Sequence, residues 1–90
     1  MSITDSKVWW TYIVECSDGS YYTGCTPHLH ERIKKHNQGK GAKYTRGRLP
    51  VELIFAEKNQ DHSAALKREV YIKTLNRVQK EELAKKFHAN

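Results

Sequence analysis

The run from Val8 to Glu15 is dense in aromatic and β-branched residues, and a second such run spans about Ser20 to Cys25. Both read as strands, and Ser17-Asp18-Gly19 between them is a turn signal. Thr26 is placed to cap a helix with Pro27 at its first position, and that helix is predicted to run to about Gln38 and stop at Gly39. Residues Gly39 to Arg48 read as a basic loop holding three glycines. Val51 to Ala56 is a third strand. A second long helix, capped by Asp61 or Ser63, reaches about Leu75. Asn76 caps a last helix, with Gln79 three residues on as in a capping box. The order β-β-α-β-α-α predicts a small α+β domain, a three-stranded antiparallel sheet flanked by helices. It is expected to be one domain over residues 1–90, with its core at about 8–84.

The length of the first turn decides which tyrosines meet. A two-residue Asp18-Gly19 turn puts Tyr12 and Tyr22 on opposite sheet faces. A three-residue loop, with Gly19 left-handed, pairs Val14 with Tyr22 and brings both tyrosines to one face. The second arrangement is favoured, and the sequence alone allows both.

Helical spacing groups further side chains. Leu29, Ile33 and His36 form an apolar stripe, and Arg32 lies beside it, four before His36, so that both reach one spot. On the later helix, Glu69 lies four after Ala65, three after Leu66 and three before Ile72, on or beside the apolar stripe. A carboxylate there wants a cation or a metal as partner. The plainer reading is a boundary residue paired with Lys73 one turn on.

Composition narrows the function. The formal net charge is +6, and from Arg32 to Pro50 there are seven basic residues (Arg32, Lys34, Lys35, Lys40, Lys43, Arg46, Arg48) and no acidic one. That stretch suits a polyanion such as nucleic acid, although a solvated basic face has the same composition. Cys16 and Cys25 are too few for a disulfide framework and read as packing residues of a reducing compartment. Met1 to Lys7 has no apolar signal core, so a cytoplasmic protein with no membrane partner is expected. Cys25, His28 and His30 lack an obvious fourth ligand for a structural zinc. Gly39-Lys40-Gly41 lacks the spacing of a phosphate-binding P-loop.

Taken in order, Thr11-Tyr12-Ile13, Tyr22-Thr23-Gly24, Arg32 and His36 on a helix and Glu69 on a later one resemble the GIY-YIG nuclease superfamily, over about Trp9 to Leu83. The turn Ser17-Asp18-Gly19-Ser20 and the loop Gly39-Lys40-Gly41-Ala42-Lys43-Tyr44-Thr45 resemble its small stand-alone bacterial members. Trp10-Thr11-Tyr12 stands where Gly-Ile-Tyr is usual, and Tyr-Thr-Gly where Tyr-Ile-Gly is usual. Glu81 stands where many members carry asparagine.

The resemblance implies a divalent-metal-dependent endonuclease that hydrolyses phosphodiester bonds in DNA, with RNA left open, in DNA repair or processing. It implies Tyr12, Tyr22, Arg32, His36 and Glu69 as catalytic residues, with Glu69 holding one Mg²⁺ or Mn²⁺ ion. Tyr12 would be the base toward water, Tyr22 a positioner, Arg32 the phosphate clamp and His36 an orienting or relay group. Lys35, Lys40, Lys43, Tyr44, Arg46 and Arg48 are the candidate nucleic-acid contacts. The chain is expected to be a monomer, cutting by substrate structure or borrowing a protein partner for specificity. Two alternatives belong to other classes: a catalytically silent nucleic-acid-binding module and a protein-interaction domain on the same scaffold.

Overall fold

A computed structural model describes residues 8–89; the segment Met1–Lys7 lies outside the described residues. The elements are β1 (Trp9–Glu15), β2 (Tyr21–Thr26), α1 (Leu29–Asn37), α2 (Lys43–Arg46), β3 (Glu52–Asn59), α3 (His62–Lys73) and α4 (Arg77–Ala89). The strands form one antiparallel sheet in the order β2-β1-β3, the expected α+β arrangement.

The hairpin takes the three-residue loop. Cys16 N–H donates to Ser20 O at 2.8 Å, and Gly19 sits at φ +84°, a region open to glycine. The Asp18 carboxylate accepts from the Ser20 backbone N–H and hydroxyl and fixes the turn. Val14 therefore faces Tyr22 and Tyr12 faces Gly24, so the two tyrosines share a sheet face.

Strand alternation divides the core in two. On one face Tyr12, Val14, Cys16 and Val51 pack with half-buried Leu29 and Ile33 of α1. On the other, Ile13, Ile54, Phe55 and Ile72 pack with Leu75, Leu83 and Phe87 from the α3 and α4 region. Consecutive Ile54 and Phe55 reach the same core because the β1–β3 register slips between Ile13 and Val14, the mark of a bulge.

Several boundaries differ from the sequence expectation. Thr26 is not the cap of α1: it still pairs with Trp10 in the sheet, and its hydroxyl accepts from the His28 N–H at 3.1 Å. His28 is the capping residue and Pro27 lies outside the helix. β3 continues to Asn59 because Glu57, Lys58 and Asn59 keep pairing with Thr11, Trp10 and Trp9, and Glu57 takes a forked ion pair from Arg68 of α3. The basic loop contains the short helix α2, which periodicity cannot reveal in four residues. Leu66, counted in the α3 stripe, is 43% exposed, whereas Ala65 and Ile72 are buried. Asp61 caps α3 through the Ala64 N–H at 2.8 Å. Asn76 and Gln79 exchange side-chain-to-backbone bonds at 3.0 and 2.9 Å, the expected capping box. Among the described residues no helix is long and apolar enough to cross a membrane.

Candidate active site

Three side chains meet at the centre of the α1 face. The Tyr12 hydroxyl lies 2.8 Å from His36 Nε2, and His36 Nδ1 lies 2.9 Å from the Thr45 hydroxyl. All three residues are buried, Tyr12 at 1% exposure. The tyrosine crosses β2 because its pairing partner is Gly24; a Cβ there would stand 2.7 Å from the phenolic oxygen. Tyr22 packs edge-on against His36 and stacks on Tyr44 of α2. Gly41 lies so close to the imidazole that a Cβ would collide with Nδ1.

Charge at this centre is held low. Burial raises the Tyr12 pKa to about 12; Arg32, which interacts with the hydroxyl, pulls the other way, and Tyr22 and Glu69 add to the rise. Burial, and then the Arg32 guanidinium, lower the His36 pKa to about 4. At neutral pH the pair is therefore a phenol and a neutral imidazole, with one proton between their facing atoms. Arg32, Tyr22 and Glu69 are thus near enough to act electrostatically on the Tyr12 hydroxyl.

Glu69 arrives from the far side of β2, since α3 covers the other sheet face. Its side chain is 17% exposed, and Lys73 donates to its Oε2 at 2.7 Å. The plainer pairing foreseen from the one-turn spacing is thus present. Cys25 adjoins the same carboxylate, and burial first, then Glu69, push its thiol up to about 11. Among the described residues no group of three or more His, Cys, Asp or Glu side chains converges as a metal cage.

The basic positions separate into free and engaged. Lys35, Lys40, Lys43 and Arg46 are exposed. Arg48 departs from the expectation of an open phosphate contact: half-buried, it bonds Asp18 at 2.9 Å and the Tyr44 carbonyl at 2.7 Å, and covers the Tyr44 ring at 4.0 Å. Two clefts flank the centre. One, about 180 Å³, is lined by Arg32, Lys35, His28, Glu31 and Thr26; the other, about 250 Å³, by Tyr22, Tyr44, Lys73, Lys80 and neighbours. A larger hollow of about 550 Å³ lies near α4, beside Ile54, Ala84 and Glu81, and holds none of the predicted site residues. Glu81 there pairs with Arg77 on its own helix.

Comparison with known proteins decides the family. A model described as the GIY-YIG catalytic domain matches residues 8–82. This chain belongs to the GIY-YIG family. A UPF0213 protein of Bacillus cereus is 59% identical over 75 residues, covering 83% of this chain and 78% of the relative. The solution NMR structure of a UPF0213 protein from Bacillus halodurans is similar at TM-score 0.55 and 46% identity, over 87% of this chain and 83% of that one. An E. faecalis protein solved by NMR gives TM-score 0.62 and 42% identity, over 96% and 92%. The GIY-YIG family is one of endonucleases that generally use a divalent metal, which puts nucleic acid in the substrate class. Sequence reasoning took the GIY-YIG tyrosines, arginine, histidine and glutamate, but missed Thr45. Its loop was read for its cations, and nothing in the spacing shows a threonine nine residues after His36 folding back onto it.

Proposed function

We propose that this protein is a divalent-metal-dependent endonuclease acting on DNA, with Tyr12, Tyr22, Arg32, His36 and Glu69 as its catalytic residues. The observation that carries the reading is the buried Tyr12–His36 hydrogen bond, in which a neutral imidazole faces a phenol under an arginine. A phenol alone is a poor base at neutral pH. With an adjacent acceptor, the Tyr12 oxygen takes a proton from the attacking water as its own proton passes to His36 Nε2, leaving hydroxide, neutral Tyr12 and an imidazolium. That imidazolium is tolerated only once the phosphate brings negative charge into the site and draws Arg32 away. Tyr12 is closed off in the free protein. Arg32 moving from the hydroxyl onto the phosphate opens it, and its guanidinium fork matches the charge that builds there. Half-buried Tyr22, lining the open cleft, orients the phosphate or the water. Exposed Lys35, Lys40, Lys43 and Arg46, with Tyr44, hold neighbouring phosphates without reading sequence.

Glu69 fits a hard cation that keeps most of its waters, because one carboxylate plus a substrate phosphate can hold such an ion. It does not fit a thiolate or imidazole cage. A divalent cation, Mg²⁺ or Mn²⁺, would neutralise charge on the leaving oxygen when bound. Lys73 holds the same carboxylate through Oε2 and must share or yield it.

That ion pair also favours a second reading, a nucleic-acid-binding module without chemistry, in which Lys73 compensates Glu69 permanently. Cleavage of a panel of structured DNAs and RNAs, with and without Mg²⁺ or Mn²⁺, separates the two. Cleavage by the wild type, lost in Glu69→Gln and in Arg32→Lys, supports the nuclease; Lys keeps the charge and loses the fork. Binding without cleavage by the wild type supports the silent module.

A further inference from the structure

Three buried groups remain to be ordered by their protons. The Ala42 carbonyl can only accept, and the Thr45 hydroxyl lies 3.0 Å from it. That carbonyl also accepts from the Thr45 N–H at 3.1 Å, and with the hydroxyl proton given to it as well, the Thr45 oxygen faces His36 Nδ1, at 2.9 Å, as an acceptor. Nδ1 then carries the imidazole proton. Nε2 is left with a lone pair toward the Tyr12 hydroxyl at 2.8 Å. The Ala42 N–H is directed at Nδ1 from 3.5 Å, the limit of hydrogen bonding, and is the one contact that would favour a bare Nδ1; it is longer than the contacts above. The segment supplying Thr45 is fastened down. Asn37 exchanges side-chain bonds with both backbone groups of Val51, and Ser17 N–H donates to the Arg48 carbonyl. Gly41 lets the backbone come close to the ring, where a Cβ would collide with Nδ1.

We propose that Thr45 is a positioning residue whose hydroxyl, oriented by the Ala42 carbonyl, fixes the His36 proton on Nδ1 and so keeps Nε2 as the acceptor for Tyr12. The other tautomer would aim an N–H at the phenolic oxygen and leave Nε2 unable to accept. The consequence for catalysis rests on the nuclease reading above; the tautomer itself does not.

The test reads the ring directly. Nitrogen NMR of imidazole-labelled protein at pH 7, with His36 assigned through a His36→Asn sample, distinguishes a protonated from an unprotonated ring nitrogen. The wild type is expected to show protonated Nδ1 and bare Nε2. Thr45→Val removes the hydroxyl at similar size and is expected to lose that preference, and Thr45→Ser to restore it. On a cleaved substrate, Thr45→Val lowers kcat by about 10- to 100-fold, the size of effect that loss of a histidine's orienting partner has at metal sites, with KM unchanged and Ser again restoring the rate. A wild-type ring protonated on Nε2, or a Thr45→Val ring identical to the wild type, overturns the proposal. If Thr45→Val does not fold, the wild-type tautomer and the Thr45→Ser ring still decide it. If the tautomer behaves as expected while the wild type cuts nothing, the nuclease reading fails and the assignment of Thr45 stands.

Discussion

His36 is neutral because burial and the Arg32 guanidinium both oppose its charge, and this has a price in acid. Its folded pKa, about 4, lies below the ordinary value of 6.5, so between those values the unfolded chain binds more protons. Stability is then fully present above the unfolded value and drains as pH falls through 6.5 toward about 4. Denaturant unfolding at pH 7 and pH 5 is expected to differ by about 2 kcal/mol from this residue. His36→Asn should show a correspondingly smaller difference; an equal slope in both proteins would mean that the acid sensitivity lies elsewhere. Glu69 makes the opposite case. Its pair with half-exposed Lys73 spans one helical turn, an arrangement worth about 0.2–0.5 kcal/mol. Glu69→Gln is therefore expected to shift thermal unfolding little, while metal-dependent cleavage falls by orders of magnitude. Unfolding of Glu69→Gln, with no metal effect on the wild type, would make the carboxylate a core partner instead.

At the scale of elements, β2 matters for what it lacks. Gly24 leaves room for the Tyr12 ring to cross the strand and reach α1, and a methyl there meets the phenolic oxygen at 2.7 Å. Gly24→Ala is expected to cost about 1–3 kcal/mol, as overpacked cores do, and to abolish cleavage by moving Tyr12 off His36. Gly47→Ala is the control, because a Cβ there meets nothing within 4 Å; unfolding and cleavage curves of the two variants give the comparison. The hairpin register was legible only as the favoured of two: turn chemistry and strand alternation are local, but the sequence allowed a two- or a three-residue loop, and Gly19 at positive φ decides for the second. The capping box of α4 was legible because it too is local. Thr26 misled because a residue able to cap was still needed by the sheet, and long-range pairing overrode the local signal. Thr45 was invisible because its role arises only when the loop folds back on α1, a contact no periodicity encodes. Lys73 was visible as a one-turn neighbour of Glu69, but spacing alone does not say whether a cation or a metal compensates a carboxylate.

Across the whole molecule, the excess of positive charge, +6, is concentrated where the chain has no acid, between Arg32 and Pro50. The structure divides these cations by what else they do. Lys43 and Arg46 stand exposed on α2, which Thr45 and Tyr44 tie to the centre of the site. Their charge is thus held beside the Tyr22 cleft without being used in the fold. Arg48 instead joins the hairpin turn to α2 through Asp18 and the Tyr44 carbonyl. Each cation that neutralises a phosphate releases condensed counterions, so its removal flattens the dependence of log affinity on log salt by about 0.9 on duplex DNA. Lys43→Ala with Arg46→Ala is therefore expected to lower the slope by about 2 and to weaken binding equally for every sequence, since phosphate contacts carry no base information. Arg48→Ala should do the reverse: lower the unfolding midpoint through the lost turn-to-helix link and leave the slope nearly as it was. Binding titrations over a series of salt concentrations, beside thermal unfolding of the same samples, separate the two classes. A slope unchanged in Lys43→Ala/Arg46→Ala would make α2 a solvated surface. A slope lowered by Arg48→Ala without loss of stability would return Arg48 to the nucleic-acid contacts that its place in the sequence suggests.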